Sequence, residues 1–252
     1  MNTTNSCSKL SDSVLWLDGR GINSSKLLSI LRRQGYISSL VRELVLENAL
    51  ETINLGPGEE ERLLAEFRSM KNLESRASYL EFLSHNHLNE ALLRQSLSRP
   101  HKVVRYREER WGSHTSALYL KNKERYDRII YRRLQTIDAD VMQEVFFRLK
   151  DREDTWENIA CQFPGARPNA NARQGPVLAG DIEPRLLQAL RRAGPGRVTQ
   201  PLSLGSQIVV AELEKVETSY LNDELRTRIL REKFDSWLES EYTKMLKKLR
   251  YL

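Results

Sequence analysis

The chain has 252 residues, 40% hydrophobic and 29% charged, with a formal net charge of +6 and a pI near 9.3. That balance suits one large or two modest folded domains with a real core, and no window approaches the ~20 apolar residues needed to span a bilayer. Two distant cysteines, Cys7 and Cys161, make neither a disulfide framework nor a metal cluster.

The N-terminal MNTTNSCSKLSDSVLWLDGRG is polar and lacks a basic segment followed by an apolar one. A secretory leader is therefore not expected, and the reading is a cytoplasmic protein with free thiols. Residues 1–22 are expected to be flexible, with Leu15, Trp16 and Leu17 forming at most a short docking hook. Ser24 or Ser25 can cap a helix over KLLSILRRQ, which Gly35 interrupts. Ile37, Leu40, Val41, Leu44 and Leu50 then recur at helical spacing until the Gly56-Pro57-Gly58 break. EEERLLAEFRSM places acidic residues in a first turn, where the helix dipole favours them. Asn72 or Ser75 can start RASYLEFLSHN, and Asn89 can cap EALLRQSLSR. Pro100 marks a boundary, and a further helical pattern runs from Val103 to Arg125. Such short helices must bury their apolar faces on one another. The arginines are scattered and interleaved with Glu and Asp, which favours a solvated helical surface over a nucleic-acid or membrane patch.

From Tyr126 to Val216 the pattern changes. YDRIIYRRLQT reads as a strand. Asp138 can cap ADVMQEVFFRLKD, whose Val141, Val145, Phe146 and Leu149 share a face. Thr155 begins TWENIACQF, with Trp156, Ile159 and Ala160 inward. PGARPNANARQGP is loop, EPRLLQALRRA a third helix, and RVTQPL and SQIVVAELEKV are strands. Ser219 to Tyr251 then forms one long helical pattern with a broad apolar face.

The implied class is α+β, a mixed α/β module inserted in an all-α domain built from both ends of the chain. The expected divisions are 1–22 flexible, 23–125 helical, 126–217 the module, and 218–252 a terminal helix packing on the helical domain.

The order of elements over this module, and above all PGRVTQPLSLGSQIVVAELEKV, resembles the parvulin family of peptidyl-prolyl cis-trans isomerases. Gly205 falls where that family's last turn expects a glycine, and RQGPV resembles its glycine-containing strand before the third helix. The flanking helices are similar in plan to SurA-type and trigger-factor-like chaperones. The resemblance implies that Tyr131 and Gln207 stand where the family carries its two histidines, as candidate catalytic residues able to hydrogen-bond each other across the sheet. Ile182 and Leu186 stand for the Met and Phe that wall the proline pocket. With Leu204 they form the candidate substrate-binding set. The family's Cys or Asp position falls near Pro164-Gly165 and its Gly-Gly pair on Asn171-Ala172. Cys161 reads as a small buried apolar residue.

Prolyl isomerisation needs no nucleophile, metal or cofactor, so none is expected. The four histidines lack partners at ligand spacing. The expected partners are unfolded or proline-containing polypeptides, with a link to an export system and no specific nucleic acid. Loss of the histidines points to weak catalysis, or to a peptide-binding chaperone or export adaptor without it.

Overall fold

The structure, a computed structural model, describes residues 13–162 and 172–249. Side-chain caps set many of its helix starts. The Asn23 Oδ1 accepts from the Lys26 amide at 2.9 Å, the Ser75 Oγ from Ser78 at 3.0 Å, and the Asn89 Oδ1 from Leu92 at 2.8 Å. Each satisfies an amide that the first helical turn leaves without a carbonyl. The cap of the first helix is thus Asn23, one residue before the expected serines. These helices are α1 (Ser24–Arg33), α2 (Ile37–Leu50), α3 (Glu59–Met70), α4 (Arg76–His85) and α5 (Glu90–Trp111).

Ahead of them, β1 (Ser13–Leu17) and β2 (Arg20–Asn23) pair as an antiparallel hairpin. The expected flexible segment is therefore a hairpin over these residues, because Asp18 and Gly19 both adopt positive φ and close a tight turn. The hook residues Leu15, Trp16 and Leu17 are exposed. Pro100 lies inside α5 and does not end it. An interior proline costs about 3 kcal/mol. Leu93 and Leu97 on one side of it pack with Leu64 and Leu83, while Val103 and Tyr106 on the other pack with Val45 and Leu50. Burial on both sides outweighs the local cost.

The chain divides into two compact units. One comprises the residues up to Ser113 together with those from Leu230 onward, and the other is His114–Ile229. In the first, Phe234 and Leu238 join Val45, Leu50, Ile53 and Tyr106 in one core. The second is larger than the expected 126–217. It includes α6 (Thr115–Lys121), α7 (Lys123–Tyr126) and the start of α11 (Asp223–Lys248). Tyr119, Tyr126, Leu225 and Ile229 pack together there, and the Tyr119 hydroxyl donates to the Ser219 carbonyl at 2.6 Å.

Within this second unit β3 (Arg128–Thr136), β4 (Arg173–Leu178), β5 (Leu202–Leu204) and β6 (Gln207–Glu217) form an antiparallel sheet in the order β4-β3-β6-β5. Of the expected strand RVTQPL only Leu202 falls in a regular strand, as the first residue of β5, and Val198 makes an isolated bridge to Glu212. Ahead of β5, Thr199 is clipped to β6 at both ends. Its amide donates to the Ala211 carbonyl at 2.7 Å, and its hydroxyl accepts from the Ala211 amide at 3.0 Å. Helices α8 (Ala139–Lys150) and α9 (Trp156–Gln162) pack on one face of the sheet, burying Met142, Val145, Phe146, Trp156 and Ile159 against Leu134 and Val210. Helix α10 (Pro184–Ala193) packs on the other, burying Leu186 and Leu190 against Tyr131, Val209 and Ala211. Alternation along each strand divides its side chains between these two layers.

Candidate functional site

The α10 face of the sheet gathers four of the five residues singled out by sequence. Tyr131, Ile182, Leu186 and Leu204 belong to one apolar cluster. Ile182 and Leu186 are 7% and 1% exposed, so they fill the core between α10 and the sheet and do not wall an open pocket. Tyr131 is buried among them. Leu204 is half-buried at the sheet margin and pairs with Gln207 across the last hairpin.

Gln207 does not meet Tyr131. The register places Tyr131 opposite Leu213, and Gln207 follows the final pair, Thr136 with Ile208, at the far end of the ladder. At about 3.3 Å per residue the two lie roughly 20 Å apart along the strands. The expected hydrogen bond across the sheet centre is therefore corrected: a β-bulge between Ile130 and Tyr131 and the length of the β5–β6 hairpin set a register that residue spacing alone does not reveal.

The side chains that do share Gln207's face and end of the sheet are Gln135, opposite Val209, and Arg133, opposite Ala211. Leu202 completes that row from the edge strand, opposite Val209. Arg133, Gln135, Leu202, Leu204 and Gln207 are all half-buried, and the Arg133 guanidinium donates to the Gln135 side-chain carbonyl. Sequence reasoning passed over Arg133 and Gln135. The signal was available in part, since positions 131, 133 and 135 of a strand share one face. The arrangement offers amide and guanidinium N–H donors beside an apolar floor, which suits a peptide carbonyl next to an apolar ring.

The opposite face carries the charge. The Arg132 Nε and Arg173 Nε each donate to Glu214 at 2.7 Å. Burial of the Glu214 carboxyl opposes its charge, but the Arg173 and Arg132 guanidiniums outweigh that and hold it below the usual carboxylate range. Cys161 is exposed, against expectation. Ile159 and Trp156 take the inward face of α9, and Cys161, two residues after Ile159, turns away from it. Pro164, Gly165 and Asn171 lie outside the described residues. Ala172 is buried at positive φ, and its carbonyl accepts from the Arg133 amide at 3.0 Å.

No protein-family model matches the chain, and no curated protein matches it by sequence. Solved structures do. A PrsA peptidylprolyl isomerase from Bacillus cereus superposes with a TM-score of 0.52 at 15% identity, over 96% of this chain and 93% of that one. The PrsA of Bacillus anthracis gives 0.52 at 13% identity, over 85% and 99%. The fold is therefore PrsA-like, an α+β chain with a parvulin-like module set within a helical domain.

Proposed function

We propose that the chain is a parvulin-type foldase that binds unfolded, proline-containing polypeptide and assists its folding or maturation. The observation that carries this reading is the shared fold, over nearly the full length of both chains, with a protein named a peptidylprolyl isomerase. The site is the row of Arg133, Gln135 and Gln207 above Val209, Leu202 and Leu204.

The chemistry asks little of it. Rotation about an X-Pro bond is limited by loss of amide resonance, a barrier of about 18–20 kcal/mol, and crosses it unaided in tens of seconds or longer. A site that holds the twisted amide better than either planar isomer lowers that barrier. Leu202 and Leu204 offer the prolyl ring an apolar surface. Polar groups of Arg133, Gln135 or Gln207 orient the carbonyl and donate toward the prolyl nitrogen, whose lone pair localises as it pyramidalises. Tyr131, buried and remote from Gln207, keeps a packing role in this scheme.

A second reading, a chaperone that binds peptide without turnover, is favoured by the closed packing around Ile182 and Leu186. A protease-coupled isomerisation assay on X-Pro tetrapeptides, run beside an aggregation assay with an unfolded client, separates the two. Turnover above background that Q135A and Q207A both reduce supports the foldase. Suppressed aggregation with no turnover leaves only the chaperone, and neither activity removes both readings. A cytoplasmic site of action and hand-over of clients to an export system belong to the same proposal. Cell fractionation and co-purification with translocation components test them.

A further inference from the structure

The face of the sheet opposite α10 carries a groove of about 1050 Å3. Its floor is aromatic and aliphatic: Phe146, Leu149 and Trp156, with the Trp156 indole N–H donating to a Glu212 carboxylate oxygen at 2.9 Å. One wall is the end of α8 and the turn after it, with Phe147, Lys150 and Arg152. The other is the 196–201 segment, with Arg197 and Gln200. Phe147 is 48% exposed, an unusual position for a phenylalanine on a helix that already buries its neighbour Phe146.

The charges of this groove do not balance. Asp154 is engaged by the Arg148 guanidinium at 2.5 Å and by the Thr155 amide at 2.7 Å. That amide above all, with help from Arg148, keeps its carboxyl ionised to lower pH than usual. Glu212 accepts from Trp156, and Arg132 is taken up by Glu214 and Glu157. Lys150, Arg152 and Arg197 have no carboxylate partner among the described residues. Lys150 instead lies over the Phe146 and Phe147 rings at 5.7 and 5.9 Å. An open, aromatic-floored groove in which, among the described residues, three unpaired cations, Lys150, Arg152 and Arg197, stand against one carboxylate without a cationic partner, Glu212, keeps a net positive charge and fits an extended segment bearing carboxylates beside an apolar side chain.

We propose that this groove is a second polypeptide-binding site, separate from the α10 face, that takes acidic segments of client chain flanking an aromatic or aliphatic residue. The inference extends the foldase reading, but its test does not depend on prolyl turnover. Arg152 and Arg197 clamp the carboxylates from opposite walls, and the apolar residue rests on Phe147 and Leu149.

The experiment is fluorescence anisotropy with the full chain and a labelled, proline-free decapeptide containing Glu-Leu-Glu and Asp-Phe-Glu triplets. A matched peptide with Lys at the acidic positions is the control. Binding of the acidic peptide should weaken about tenfold or more in the R152E/R197E double variant and fall as salt is raised. F147A should also weaken it, whereas Q135A and Q207A should leave it unchanged. Circular dichroism and the client-aggregation assay verify that the variants are folded and that the foldase reading stands or falls on its own. Equal binding of the basic peptide, affinity unchanged by R152E/R197E, or complete competition by sulfate equimolar with the peptide overturns the proposal.

Discussion

Tyr131 faces Leu213 across the β3–β6 ladder, not Gln207, which lies six residues earlier in β6. This separation splits two residues that a histidine-pair analogy would join, and it makes their effects independent. Residues more than about 7–10 Å apart with no shared partner contribute additively, within about 0.3–0.5 kcal/mol. In a double-mutant cycle of Y131F and Q207A, the effects on client binding and on turnover should therefore add. A coupling energy above about 1 kcal/mol would contradict the register-based assignment. Gln135 and Gln207, sharing a face and an end of the sheet, should couple in the same assay.

Gly175 is the position where β4 most needs a glycine. It sits at φ +103, and a Cβ placed there would lie 2.4 Å from the Ile129 carbonyl oxygen. Both atoms belong to backbone held in the β3–β4 ladder, so neither can move aside cheaply. G175A should lose roughly 3 kcal/mol or more in urea unfolding. Gly205, at φ +62 with open space around its Cβ direction, should lose only about 1–2 kcal/mol on change to Ala. The reverse order would argue against the close approach of β4 to β3.

Thr199 is buried, and its hydroxyl supplies the acceptor for an Ala211 amide that is itself fully buried. T199V keeps the shape but strands that amide, at a cost of about 1–3 kcal/mol. T199S retains the hydroxyl and should cost less. Hydrogen exchange at Ala211 gives an independent measure, with protection falling in T199V and largely kept in T199S.

Glu214 gives the sheet a pH dependence with a definite sign. Its folded carboxyl titrates below the usual range because Arg173 and Arg132 offset the effect of burial. A depressed folded value means the carboxylate contributes stability that is fully present above the unfolded value, about 4.3. That contribution is lost as pH falls through the lower, folded value. The stability gap between the wild type and E214Q, measured by urea unfolding from pH 7 to pH 3, should be constant down to about pH 5 and close below it. A gap that widens with acid would reverse the assignment.

Much of this architecture is written in local chemistry. Asp138 reads as a cap, and its carboxylate accepts from the amides of Asp140 and Val141. The spacing of Leu225, Ile229, Phe234 and Leu238 gives the terminal helix its buried stripe. Other features depend on distant partners. Pro100 signals a helix end by every local rule, yet two separate cores hold the helix through it. The bulge at Ile130/Tyr131 shifts the pairing of β3 without any proline or glycine in that strand; the run of three buried apolar residues Ile129, Ile130 and Tyr131 breaks the alternation there but does not say which way the pairing shifts. Arg133 and Gln135 look like ordinary solvent-side residues until the register sets them beside Gln207. The chemistry of the α10 face was thus legible in residue type and not in placement, because placement is decided by pairing between strands some 80 residues apart in the chain.

The core that joins Val45 and Tyr106 to Phe234 and Leu238 has a consequence for biosynthesis. On the ribosome, α2 and α5 emerge long before the last helix is made. At about 5–20 residues per second they wait on the order of ten seconds for their remaining packing partners. During that interval the inserted unit, whose strands lie within one continuous stretch of chain, is synthesised in full, ahead of Phe234 and Leu238. The order of synthesis therefore favours a nascent chain whose middle is finished first and whose two ends close last, leaving the early helices with unsatisfied apolar faces in the meantime. A protein read as a helper of incomplete chains passes through such an incomplete state of its own.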